Sequence, residues 1–104
     1  MMNELNGRVV KIIGTKYPHL RHLIRNHPYT KIVGIGIIKC LIDELKMDTD
    51  EITDELLTEM VEKGIKIYHE KESEINETPV LEQKRKILCN LLKQTSINHL
   101  ENIA

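Results

Sequence analysis

KIVGIGII, residues 31–38, decides the fold class because it can be read two ways. Val33, Ile35 and Ile37 alternate with Gly34 and Gly36, the period-two pattern of a strand, and RVVKIIG at 8–14 could serve as its partner. Read at helical period instead, Gly34, Ile38, Leu41, Ile42 and Leu45 share one side of a helix, with Lys39 and Asp43 across from them. Two strands alone make a poor sheet, and nothing downstream supplies a third. The expectation is therefore an all-α fold, a small bundle of four to five helices. The alternative is α+β with a minor two-stranded element near 8–14 and 31–38.

Outward from this stretch the helical signals strengthen. After Met47, Asp48 stands three residues before Glu51 in the manner of a capping box, and acids crowd the following turn. From there Leu56, Leu57, Met60, Gly64, Ile67 and Tyr68 keep helical spacing, with Glu51, Glu55, Glu62 and Lys66 opposite. Gly64 inside this helix reads as a close approach of another helix or as a break. SEINET is then a linker, and Thr78-Pro79 starts the next helix, over about 79–94, with Leu81, Ile87, Leu88, Leu91 and Leu92 in one stripe. Upstream, Pro18 and Pro28 bound a short helix carrying Leu20, Leu23 and Ile24. The predicted core is Ile38, Leu41, Leu45, Leu56, Met60, Leu88, Leu91 and Leu92. Residues 1–104 form a single helical domain, with 95–104 a weakly ordered tail.

Composition narrows the class. A chain of 104 residues with 30% charged and 40% hydrophobic residues belongs with ordinary globular domains. Phe and Trp are absent and Ala104 is the sole alanine, so branched aliphatics fill the core. This Ile- and Lys-rich usage also follows from AT-rich coding and suggests a prokaryotic or phage source. No apolar run reaches membrane-spanning length and the N-terminus lacks a signal-peptide layout, so a cytoplasmic location is expected. Cys40 and Cys89 show no metal or redox spacing and are read as buried, reduced thiols.

The net charge of −1 conceals segregation. Residues 1–42 carry seven Lys or Arg against one acid, residues 43–77 four against thirteen, and residues 78–104 four against two. Such blocks are either a surface arranged by neighbouring helices or two faces for different partners.

Candidate chemistry is sparse. His19 and His22 sit three apart with His27 nearby, but zinc sites need three or four ligands and no cysteine is close in sequence, so no metal or other cofactor is assigned. VGIG at 33–36 lacks the third glycine, the Lys-Ser/Thr and the placed acid of nucleotide-binding loops. No Ser-His-Asp, Cys-His or HExxH spacing appears, and the chain is read as not an enzyme. Val61 and Ile65 widen the apolar face of their helix toward Tyr68, so Leu57, Val61, Ile65 and Tyr68 are the candidate partner-binding surface, for a protein of unstated identity or for a second copy in a homodimer. The leading expectation is thus a small non-enzymatic regulatory or adaptor protein that binds another protein through a helical surface. The alternative is nucleic-acid binding by the basic N-terminal segment, residues 8–39, through Arg8, Lys11, Lys16, Arg21, Arg25 and Lys31.

Overall fold

Both stretches with strand potential are helical in the computed structural model, which describes residues 2–19 and 29–98. Residues 8–14 lie within helix α1 (Met2–Lys16), with Glu4 in its first turn and Lys16 in its last, each of the sign the helix dipole favours. Leu5, Val9 and Ile13, spaced by four, turn one fully covered edge of α1 into the core. Residues 31–38 belong to one continuous helical run: a π-helical segment Tyr29–Gly34, the α-helical turn α2 (Ile35–Lys39), and a second π-helical segment Cys40–Glu44. This run packs against α1 and against two later helices, α3 (Asp54–Glu70) and α5 (Leu81–Gln94). Ile32, Val33, Ile37, Ile38, Cys40 and Leu41 are all buried. A helix covered on several sides is apolar beyond one stripe, which is why its letters also resembled a strand. The two-stranded alternative is overturned, since no strand occurs among the described residues.

The run ends at Lys46, which adopts φ 54°, the left-handed region. There the Leu45 amide donates to the Cys40 carbonyl at 2.9 Å and the Met47 amide to the Leu41 carbonyl at 3.0 Å, so the Cys40 and Leu41 carbonyls of the last turn are satisfied.

The Asp48–Glu51 capping box forms, but it opens only a single 3₁₀ turn, Thr49–Glu51. The long helix starts later, where the Thr53 hydroxyl accepts from the Leu56 amide at 3.1 Å. Gly64 marks a close approach and no break: a Cβ there would lie 2.9 Å from Val33 Cγ1. The expected linker is partly the short helix α4 (Glu72–Glu77), held by the fully buried Ile75. Thr78 is not the cap of the next helix: its hydroxyl donates back to the Glu74 carbonyl at 3.2 Å, and that helix's N-cap position is Val80. Pro79 disfavours a helical conformation at the residue before it, and Thr78 is accordingly extended (φ −78°, ψ 118°). Helix α5 therefore begins two residues after the predicted start. Through Asn98 the tail is docked: Ile97 is buried, Lys63 Nζ donates to the Ser96 carbonyl, and the Asn98 amide donates to Glu59 Oε2 at 2.8 Å.

Of the predicted core, Ile38, Leu41, Leu56, Met60, Leu88 and Leu92 are buried, while Leu45 and Leu91 pack partly covered against the same cluster. The helix expected between Pro18 and Pro28 lies largely outside the described residues. Among those described, no helix is long and apolar enough to cross a membrane.

Candidate functional site

The four residues of the expected partner surface are all inside. Leu57 and Val61 are 0% exposed, Ile65 3% and Tyr68 4%. The wide apolar face of α3 arises because this helix is central, touching α1, the 29–44 run, α4 and α5, so more than one side must be apolar. Tyr68 keeps its polar end satisfied by donating to Asn76 Oδ1 of α4 at 3.4 Å. No partner can reach this face in the folded chain, and the premise for a homodimer on it is lost with it.

The basic candidates separate into groups. Arg8, Lys11 and Lys16 share a cleft of about 390 Å³ between α1 and the start of α3. The carboxylates of α3 face them there. Arg8 donates through Nε and Nη2 to Asp54 Oδ1 at 3.0 and 2.7 Å, and through Nη2 to the Ile52 carbonyl at 2.8 Å. Lys16 Nζ stands 3.6 Å from Glu62 Oε1, and a Glu62-lined cleft of about 570 Å³ continues the first one through Lys16, Asp54 and Thr58. Lys31 lies away from this cleft, its carbonyl accepting from Arg85 Nε at 3.2 Å on the α5 side. Arg21 and Arg25 lie outside the described residues.

The same pairing recurs across the molecule. Lys39 bonds Glu82, and Lys93 Nζ bonds Glu44 Oε2 at 3.0 Å. These contacts favour the charged forms: the hydrogen bond to Glu82 raises Lys39 and its counterpart lowers Glu82, while the hydrogen bond with Lys93 lowers Glu44 and raises Lys93. All four groups are exposed enough for solvent to screen them, so they orient the helices more than they stabilise them.

A different surface comes forward. Val80 and Leu81 are the exposed large hydrophobic residues among those described, at 48% and 40%. They follow the exposed Pro79 where the chain enters α5. Further along α5, Ile87 and Leu91 are half-buried and pack against the core, so the exposed apolar patch is confined to the start of the helix. The sequence spacing puts Leu81 in one stripe with Ile87, Leu88, Leu91 and Leu92. The available signal was Pro79: it delays the helix and leaves the next two apolar residues outside the core.

No group of three or more His, Cys, Asp or Glu among the described residues is arranged to hold a metal ion. The chain matches no protein-family model, no curated protein and no solved structure.

Proposed function

We propose that this chain is a small non-enzymatic regulatory or adaptor protein that binds another protein through the patch of Val80 and Leu81 at the start of α5. The observation that carries the reading is the exposure of these two consecutive aliphatic side chains on a chain whose other large apolar residues, where described, are covered or half-covered. An apolar centre with a charged rim is the usual anatomy of a protein interface, and Glu82, Lys84 and Lys86 supply that rim. The patch is small, which suits a transient contact more than an obligate one. Nucleic-acid binding by residues 8–39 is the weaker reading, because Arg8, Lys16 and Lys39 already face carboxylates of the same chain.

The test compares the wild-type chain with the double variant Val80→Ser, Leu81→Ser as bait for soluble proteins of the source cell. Exposed positions tolerate this change, so unfolding curves of the two should agree within about 1 kcal/mol. A specific partner should be retained by the wild type and weakened at least about tenfold by the variant, as loss of an interface centre implies. Equal retention by both would remove α5 as the binding surface.

A further inference from the structure

Three contacts between the 29–44 run and α5 fall at one sequence offset. A Cβ on Gly36 would lie 3.0 Å from Leu88 Cδ2 and 3.4 Å from the Arg85 carbonyl oxygen. One turn on, Cys40 Sγ lies 3.8 Å from the Cys89 carbonyl oxygen, to which its S–H donates. A further turn on, Glu44 Oε2 accepts from Lys93 Nζ at 3.0 Å. Cys40 and Cys89 are 49 residues apart, as are Glu44 and Lys93. The Gly36 and Arg85 pairing has the same offset, so the two helices run parallel and in register over these turns. Gly36 lets the backbones approach, and the next turn places a thiol from each helix at the contact.

Burial, first, raises both thiols, and the neighbouring cysteine raises Cys40 further while partly offsetting the rise at Cys89. Their surroundings differ. Cys89 borders a cleft of about 270 Å³ lined by Lys39, Asp43, Glu44, Glu82 and Lys86. Cys40 faces a separate cleft of about 220 Å³ with Met60, Leu92 and Ile97 on its walls. Cys89, though only 3% exposed, is the cysteine that borders the charged cleft, the side from which a polar reagent would approach it.

We propose that Cys40 and Cys89 form a dithiol site that small disulfide oxidants of the oxidised-glutathione class close into an intramolecular disulfide, stapling the 29–44 run to α5. In the first step the Cys89 thiolate attacks one sulfur of the oxidant; the oxidant's S–S bond breaks, a mixed disulfide forms on Cys89, and one small thiolate leaves and takes up a proton. In the second step Cys40 gives up its proton and attacks Cys89 Sγ, expelling the second small thiolate, which takes that proton. Two protein thiols and one small disulfide become one protein disulfide and two small thiols. The parallel register makes the second step intramolecular and fast, so the mixed disulfide does not accumulate in the folded chain.

The experiment treats the whole folded chain with oxidised glutathione, quenches with acid, and reads thiol content and intact mass under denaturing conditions, with the chain oxidised in denaturant as reference. The folded chain should lose both thiols and two hydrogens in mass, carry no glutathione, and give a Cys40–Cys89 linked peptide on non-reducing digestion. Its ratio of closed to mixed disulfide should exceed that of the denatured chain by about tenfold or more. Cys40→Ser should instead accumulate glutathione on Cys89; if that variant does not fold, the peptide map and the folded-to-denatured ratio of the wild type decide alone. Persisting free thiols in the folded chain, glutathione retained on both cysteines, or a disulfide joining two chains would each overturn the proposal.

Discussion

Lys46 holds the one positive φ outside glycine among the described residues, at 54°. A left-handed backbone costs an L-residue roughly 1–2 kcal/mol, and glycine escapes it. Lys46→Gly should therefore stabilise the chain by up to about 1 kcal/mol in urea unfolding, the glycine's extra unfolded-state freedom offsetting the rest. Sequence reading had no access to this turn, because a lysine in the left-handed region looks like any surface lysine. Cys40 gives a second residue-scale prediction. Burial, first, and its contact with Cys89 push the Cys40 thiol up to about 12 from an ordinary 9.0. The unfolded chain thus releases this proton first as pH rises: stability is flat below pH 9 and falls between about 9 and 12. Between pH 8 and 10 the loss attributable to this thiol should be about 1 kcal/mol, measured as the difference in pH slope between the wild type and Cys40→Ala. That both cysteines are buried could be anticipated from their chemistry; that they touch could not, since 49 residues separate them and the contact depends on the register of two helices.

At the scale of elements, glycines discriminate between packing and exposure. Gly7 sits on α1 with nothing within 4 Å of a Cβ, whereas a Cβ on Gly64 would meet Val33 Cγ1 at 2.9 Å and Ile37 Cδ1 at 3.4 Å. Gly7→Ala should gain the helix-propensity difference, about 0.5–1 kcal/mol. Gly64→Ala gains the same but must displace a short branched side chain in a closed core, at a cost of about 1–3 kcal/mol, and should be destabilising overall. Thermal unfolding of the two variants beside the wild type checks this; a stabilising Gly64→Ala would mean that α3 and the 29–44 run are further apart than described. Helix existence was legible from spacing at this scale, as with Leu56, Met60 and Tyr68 on α3. Helix starts were legible less well. The Asp48 box was real but belonged to a lone 3₁₀ turn, and the long helix takes its cap instead from Thr53, whose hydroxyl accepts from the Leu56 amide. Thr78-Pro79 misled for a related reason: the threonine hydroxyl turns back to Glu74 and closes α4. Most consequentially, an amphipathic pattern reports how much of a helix is apolar and not how many neighbours it has, so the central position of α3 made Leu57, Val61, Ile65 and Tyr68 look like surface.

For the whole molecule, opposite charge blocks in the sequence become neighbouring helices in space. Arg8 with Asp54 and Lys16 with Glu62 join α1 to α3, and Lys39 with Glu82 and Lys93 with Glu44 join the 29–44 run to α5. The segregation that suggested a polyanion-binding face is, in three of these four pairs, complementarity within one chain; Lys39 and Glu82 come from two net-basic stretches. The central claim, that binding is to protein and not to nucleic acid, is tested most directly by fluorescence anisotropy of the full chain with labelled single- and double-stranded DNA and RNA across salt concentration. The account predicts no binding tighter than ~100 μM at physiological salt, which is weaker than ordinary non-specific DNA binding. Tighter binding to duplex, with log K falling against log salt at a slope of about −2.7 to −4.5 as counterion release from three to five neutralised phosphates requires, would contradict it.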